Sequence, residues 1–194
     1  GGMGIVFKAR ELSLDRTVAV KVLSPTLAAD STARDRFLRE ARAAAAINHP
    51  NVVTIHAVSA TGELAYLVME YVQGQTLREL LDASGALAAA EVARIGAQVA
   101  AGLAAAHAKG VHHRDIKPAN IFIEAGTGQV KLGDFGLAQV AGQSQLTRPG
   151  ILVGTPAFLA PETLEPAAPT DHRADLFSLG SVLYTMCCGE LPFE

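Results

Sequence analysis

The octet HRDIKPAN at residues 113–120 constrains the fold of this chain more than any other stretch. A helical pattern that ends at Lys109 precedes it, and a short apolar run at residues 121–123 follows it. These flanks would hold an acid, a cation and an amide together on one tight loop. An ordinary surface turn is the alternative interpretation, because short motif matches carry false positives. The rest of the chain has to decide between them.

The composition is that of a globular chain, with 49% hydrophobic and 18% charged residues among 194. A chain of this size buries roughly 70% of its unfolded surface, which is enough for a real core. The net charge of −3 argues against a nucleic-acid partner, which usually selects a basic face. We see no signal peptide and no membrane segment, since the charge-free run at 176–189 is shorter than the roughly 20 residues of a span. That run predicts a buried core helix.

The two cysteines, Cys187 and Cys188, are adjacent in the chain. Neighbouring Cα atoms lie about 3.8 Å apart, below the usual disulfide range of about 4.4–6.8 Å. We therefore expect a pair of buried free thiols in a reducing compartment.

An ordered series of further motifs accompanies the octet along the chain. It consists of GGMGIV (1–6), VAVK (18–21), FLRE (37–40), HPN (49–51), MEYV (69–72), GDFG (133–136), GTP (154–156), APE (160–162) and DLFSLG (175–180). Together with the octet, this series resembles the eukaryotic-type, or Hanks-type, serine/threonine protein kinases, in a bacterial-like form. The resemblance covers essentially the whole chain.

The resemblance implies an α+β, two-lobed protein-kinase-like fold. A small antiparallel β lobe with one main helix would span residues 1–74, and a mainly helical lobe would span 75–194. The chain opens inside the glycine cluster and stops without a closing element, so we expect a kinase domain truncated at both ends. Periodicity predicts strands at 17–21, 52–58 and 63–72, helices at 31–47, 76–81 and 89–108, and a hairpin of 121–124 with 129–132.

The predicted helices have identifiable ends and buried faces. Asp30 or Ser31 would cap the first one, and Gly110 would end the last one. The packing stripe of helix 31–47 is formed by Phe37, Ala41, Ala44 and Ala45, and that of helix 89–108 by Val92, Ile95, Val99 and Leu103.

The resemblance implies an ATP site between the lobes, with Mg²⁺, or Mn²⁺ in its place. Lys21 would reach the α- and β-phosphates, and Glu40 would pair with it and orient it. A local contact of Glu40 with its arginine neighbours is the alternative. Met69 would be the gatekeeper of the adenine pocket, and the backbone of Glu70 and Val72 would bond the adenine edge. The remaining nucleotide-binding residues would be Gly1, Gly2, Gly4, Val6, Ala19, Asn120 and Asp134.

The resemblance also assigns the chemistry. Asp115 would accept or orient the proton of a Ser/Thr hydroxyl, and Lys117 would offset charge on the transferred phosphoryl group. Asn120 and Asp134 would hold the metal ions, and Asp175 would brace the catalytic loop. Lys117 and Thr155 match the serine/threonine branch, so the partners would be protein substrates with Ser/Thr acceptors, including other copies of the chain through self-phosphorylation in trans.

Regulation by phosphorylation is a further implication. Arg114 would dock a phosphorylated residue of the activation segment, with Thr147 as the first candidate and Ser144 as the second. Gln139 stands where many relatives have Lys or Arg, which predicts a weaker phosphate pocket.

Three other interpretations remain open: a nucleotide-binding pseudokinase scaffold, a small-molecule phosphotransferase, and an inactive fragment. Intact Lys21, Asp115, Asn120 and Asp134 argue against the scaffold, and the motifs at 117–119 and 160–162 favour protein substrates over small molecules. An inactive fragment would lack part of the phosphate loop and the later helices, including an arginine partner for Glu162. The domain itself is expected in the cytoplasm, and the sequence is compatible with a membrane-anchored parent.

Overall fold

The computed structural model describes residues 4–61, 64–135, 156–164 and 170–193. The predicted roles of Gly1, Gly2, Ser144, Thr147 and Thr155, and the departure at Gln139, fall outside these residues.

A four-stranded antiparallel sheet forms the first part of the fold. It contains β1 (Gly4–Glu11), β2 (Arg16–Leu23), β3 (Ile55–Thr61) and β4 (Leu64–Glu70), in the order β1-β2-β4-β3. Strand β2 is rich in β-branched residues, which suit a central, half-buried strand. It places Val18, Ala19, Lys21 and Leu23 in buried positions.

Two helices cover this sheet, the short α1 (Pro25–Ala29) and the main α2 (Ser31–Ala45). Asp30 caps α2, since its carboxylate accepts from the backbone N–H groups of Thr32 and Ala33 at 2.9 and 3.3 Å. The buried residues of α2 are Ala33, Phe37, Ala41 and Ala44. The first three pack against Leu23, Ala65 and Leu67 of the sheet, whereas Ala44 belongs to the larger core cluster of the second part.

The predicted packing stripe of α2 was wrong at one residue, because Ala45 is exposed. Residues 33, 37, 41 and 44 repeat at intervals of three and four and therefore share one face of the helix. Ala45 lies one residue further round, on the solvent side.

A three-stranded antiparallel sheet and three helices form the second part. The sheet contains β5 (Gly74–Thr76), β6 (Ile121–Glu124) and β7 (Val130–Leu132), in that order. Helix α3 (Leu77–Ser84) starts with a capping box, in which Thr76 and Glu79 bond each other's backbone N–H. Helix α4 (Ala89–His107) buries the predicted stripe, and Gly110 follows it with φ +69°, as predicted for a helix-ending glycine.

The last helix is α5 (Arg173–Cys188), which confirms the predicted core helix and starts earlier than expected. Three short 3₁₀ turns lie at Pro118–Asn120, Pro156–Phe158 and Pro161–Leu164. None of the helices in the described ranges is long and apolar enough to cross a membrane.

The prediction that Cys187 and Cys188 are buried was wrong, because both are exposed free thiols. Helix α5 turns Val182, Thr185 and Met186 toward the core. The two cysteines come directly after this buried face, in the last turn before Gly189, and their side chains project away from it.

The predicted strand at 52–58 differs from the structure in its first residues. Residues 51–53 bond to β7 rather than to the first sheet, with Val53 N donating to Leu132 O at 2.8 Å and Leu132 N to Asn51 O at 2.9 Å. Strand β3 therefore begins only at Ile55. This short connection ties the segment after α2 to the second sheet, directly beside the GDFG motif.

Candidate active site

The octet at residues 113–120 is bound through its backbone by one buried carboxylate of α5. Asp175 is 1% exposed and accepts from the backbone N–H groups of His113 and Arg114 at 2.8 and 2.7 Å. Its third contact is with His107, whose Nε2 lies 2.8 Å from Asp175 Oδ2. The bracing role expected of Asp175 is confirmed. Arg114 has φ +64°, an unfavourable conformation for a side-chain-bearing residue that these bonds help to maintain.

His113 connects the octet to the GDFG motif, a role that the sequence did not reveal. It is fully buried, with Nε2 2.8 Å from Gly133 O and Nδ1 accepting from Asp115 N at 3.3 Å. Its ring lies 4.5 Å from that of Phe135. These partners require Nε2 to donate and Nδ1 to accept, which is the neutral form of the ring. Burial lowers the pKa of His113 in the same sense.

Asp115 is the centre of the polar contacts in the octet. The Lys117 ammonium lies 2.9 and 2.7 Å from its two carboxylate oxygens. The side-chain amide of Asn120 donates to Asp115 Oδ2 at 2.9 Å and to the Asp115 carbonyl at 2.8 Å. The 3₁₀ turn at Pro118–Asn120 brings Asn120 back to face Asp115. An acid, an ammonium and an amide therefore meet within hydrogen-bonding distance.

Lys21 and Asp134 face each other across the junction of the two sheets. Lys21 is buried near the end of β2, and its Nζ lies 2.8 Å from Asp134 Oδ1. Asp134 has φ +60°, and the next residue, Phe135, is buried. Lys21 is thus directed inward rather than toward solvent.

The expected ion pair between Lys21 and Glu40 is not formed in this structure. Glu40 instead lies 3.7 Å from the guanidinium of its neighbour Arg39, the local contact that we weighed as an alternative. The physical reason is competition: the Lys21 ammonium already has a carboxylate partner in Asp134. The role of Glu40 in orienting Lys21 stays a prediction.

The residues predicted to line the nucleotide pocket occupy neighbouring strands. Ala19 is the cross-strand partner of Met69, and Val6 is that of Lys21. A small apolar pocket lies behind Met69, lined by Ala44, Val52, Val53, Ile55, Leu67, Gly133, Asp134 and Phe135. The gatekeeper role of Met69 stays a prediction.

Gly4 is needed for packing within the sheet. A Cβ at this position would lie 1.9 Å from the carbonyl oxygen of Val22 on the paired strand. The close approach of β1 and β2 therefore explains this glycine, independently of any phosphate contact.

The donor atoms around Asp134 fit a hard divalent cation held jointly with phosphates. Gly133, the residue before Asp134, donates its backbone N–H to the Asn120 carbonyl at 3.0 Å. This bond holds the Asn120 and Asp134 segments side by side. The Asn120 amide nitrogen is occupied by Asp115, so its oxygen remains available, and oxygen ligands are what Mg²⁺ prefers. Within the described ranges no cluster of three or more His, Cys, Asp or Glu could hold a metal. The protein would thus supply only part of the coordination sphere, as is usual for Mg²⁺ bound with phosphates.

Comparison with known proteins places this site in a family. The protein kinase domain family matches residues 1–194. Serine/threonine-protein kinase pkn3 of Myxococcus xanthus is 43% identical over 202 residues, covering 100% of this chain and 37% of the relative. PknB of Mycobacterium leprae is also 43% identical, covering 100% of this chain and 32% of the relative. The crystal structure of the Mycobacterium tuberculosis PknI kinase domain has a TM-score of 0.81 and 31% identity, covering 100% of this chain and 73% of that one.

The chain belongs to the protein kinase family, and within it to the bacterial Hanks type. The resemblance and the two-lobed kinase fold predicted from the motifs are therefore confirmed. The chain spans about a third of the length of these curated relatives.

Proposed function

We propose that this chain is the catalytic part of an ATP-dependent serine/threonine protein kinase, with lobes at residues 1–74 and 75–194. The observation that carries the proposal is the arrangement of Lys21, Asp115, Lys117, Asn120 and Asp134. Asp175 bonds the backbone of the loop that carries Asp115. His113 and the Asn120 carbonyl both bond the backbone of Gly133, the residue before Asp134. A scaffold that only bound nucleotide would not need Asp115 and Lys117 in contact.

The reaction would be in-line transfer of the γ-phosphoryl group to a Ser or Thr hydroxyl. A bond forms between the hydroxyl oxygen and the γ-phosphorus, the bond from the γ-phosphorus to the β,γ-bridging oxygen breaks, and ADP leaves. The hydroxyl proton passes to the Asp115 carboxylate. Bound Mg²⁺, or Mn²⁺, would neutralise charge on the phosphates, with Asn120 and Asp134 as its protein ligands.

Lys117 and Lys21 would contribute electrostatically. The Lys117 ammonium, 2.7 Å from Asp115, can turn toward the phosphoryl group as negative charge develops there. Lys21 would hold the α- and β-phosphates, with Glu40 as its partner once Asp134 is engaged elsewhere. Met69 would close the adenine pocket, and the backbone of Glu70 and Val72 would bond the adenine edge. Gly1, Gly2, Gly4, Val6 and Ala19 would complete the site.

Protein substrates are supported by the names of the relatives, which are serine/threonine-protein kinases. We propose Ser/Thr acceptors on proteins, including self-phosphorylation in trans at Thr147 or Ser144. Arg114 would receive the resulting phosphate. Its Nε is buried and, among the described residues, lacks a hydrogen-bond partner. The cytoplasm, where ATP is supplied, is the proposed location of the domain.

The test is phosphate transfer from radiolabelled ATP in the full-length protein carrying Asp115→Asn. We expect transfer to a Ser/Thr peptide library to fall by at least about 100-fold, the scale on which general base catalysis contributes. The control is Asp82→Asn, on the exposed face of α3, which should leave transfer unchanged. Near-wild-type transfer by Asp115→Asn would refute the assignment, and a wild-type protein that binds ATP without transferring phosphate would favour the scaffold.

A further inference from the structure

A half-buried ion pair joins the end of the first sheet to the second sheet. Glu70 is the last residue of β4, and Lys131 is the middle residue of β7. Glu70 Oε1 lies 2.7 Å from Lys131 Nζ, and the side chains are 25% and 12% exposed. Such shielding makes the pair less screened by salt than a pair at the open surface.

The second oxygen of Glu70 binds the segment that follows α2. Glu70 Oε2 accepts from Thr54 N at 3.2 Å, and Glu70 N donates to Thr54 O at 2.8 Å. Asn51, three residues before Thr54, is bonded to the second part of the fold. Its side-chain amide donates to Gln98 Oε1 at 3.0 Å and to Val130 O at 2.8 Å. Both carboxylate oxygens of Glu70 therefore hold groups that are anchored to β7 or directly beside it.

The two ends of the ion pair lead to opposite ends of the proposed nucleotide site. Residues 71–73 connect Glu70 to β5 and form the connection expected to bond the adenine edge. Lys131 is followed, after Leu132 and Gly133, by Asp134, the proposed metal ligand. A change in the position of Lys131 relative to Glu70 would alter the distance between these two ends.

We propose that Glu70 and Lys131 form a clasp that sets the spacing between the adenine-binding connection and the Asp134 carboxylate. Both are positioning residues: the Glu70 side chain acts through the connection that it begins, and Lys131 through β7. The inference rests on the proposed function in one respect, namely that ATP binds in this cleft. Preorganised spacing lowers the ordering cost of binding a ligand that contacts both ends.

The experiment is a double-mutant cycle in the full-length protein with Glu70→Gln, Lys131→Met and the double variant. Gln retains an acceptor for Thr54 N and removes the charge, and Met retains the apolar length of Lys. We expect the Kd for ADP with Mg²⁺ to rise about three- to tenfold in each single variant, and the double variant to match the weaker single one, because each removes the same interaction. The matched control is Arg78→Met with Asp82→Asn, an exposed pair on α3, for which no change is expected.

Amide hydrogen exchange without nucleotide separates the clasp from the proposed function. Exchange at residues 54 and 70–76 should be faster in both single variants than in wild type. Unchanged exchange in the single variants would overturn the clasp. So would a double variant whose affinity loss is the product of the two single losses, or faster exchange together with an unaltered Kd for ADP. A wild-type protein that fails to bind ADP or ATP, while its variants show faster exchange, would refute the nucleotide site and leave the clasp as a structural contact only.

Discussion

Removing the Asp175 carboxylate should damage this protein more than removing any other single side chain of the site. The Asp175→Ala variant leaves three groups without their acceptor: the buried backbone N–H of His113, the partly buried N–H of Arg114, and the partly buried His107 ring. An unsatisfied buried donor costs about 1–3 kcal/mol, and removing one member of a buried charged network costs about 3–5 kcal/mol. We therefore expect a loss of about 3–5 kcal/mol of unfolding free energy.

A loss of this size is large against the total of about 5–15 kcal/mol that is typical of single domains. It should be measured by urea denaturation of the 194-residue chain, followed by circular dichroism, with midpoint and slope fitted separately. The Asp175→Asn variant keeps the size and one acceptor oxygen, so its loss should be intermediate. Asp82→Asn, on exposed α3, should change the unfolding free energy by no more than about 0.5 kcal/mol.

The reasoning would be refuted if Asp175→Ala lost less than about 1 kcal/mol. Such a result would mean that water or a rearranged loop satisfies the two N–H groups at little cost. The φ of +64° at Arg114 makes a second readout useful, because a loop released from Asp175 should relax to a more favourable backbone conformation. Amide exchange at residues 113 and 114 would report that release directly.

Two further predictions follow from buried groups. Burial lowers the pKa of His113 below 6.5, so the unfolded chain takes up a proton first as the pH falls. The contribution is fully present above pH 6.5 and is lost below it, by at most about 1.4 kcal/mol per pH unit for one proton. The carboxylates of Asp175, Asp115 and Asp134 oppose this lowering of the pKa but do not reverse it. Urea titrations between pH 5 and 7.5 should therefore give a different dependence of unfolding free energy on pH for wild type and for His113→Asn. The same dependence in both would contradict the argument. Gly102→Ala should destabilise the protein by about 1–3 kcal/mol, because its Cβ would lie 2.7 Å from Asn51 O. Gly180→Ala, on the same criterion, has open space around it and should stabilise α5 by up to about 1 kcal/mol. Thermal melts that shift both variants in the same direction would contradict this prediction.

The motifs predicted which residues meet, because each motif is a local arrangement with a regular element attached. The spacing of Asp115, Lys117 and Asn120 within one loop left little freedom, and the structure brings them within hydrogen-bonding distance. The buried faces of α2 and α4 followed from helical periodicity for the same reason.

Contacts between distant segments could not be predicted in this way. Glu70 and Lys131 belong to different sheets, and no short-range pattern links them. His113 lies inside the octet, yet the motif does not show that its Nε2 bonds the Gly133 carbonyl, because that contact joins segments 20 residues apart. The exposure of Cys187 and Cys188 likewise depends on which face α5 turns to the core.

The partner of Lys21 shows why pairing is harder to predict than position. One ammonium has two candidate carboxylates, and the structure pairs it with Asp134 at 2.8 Å while Glu40 contacts Arg39 at 3.7 Å. Arg39 is 73% exposed, and such surface pairs contribute only about 0–1 kcal/mol, so leaving Arg39 costs Glu40 little. The choice therefore depends mainly on Asp134. A divalent cation that takes the Asp134 carboxylate competes with Lys21 for it, and the buried ammonium then needs another anion. We propose that Glu40, only 16% exposed on the helix that covers the sheet of Lys21, would then become its partner.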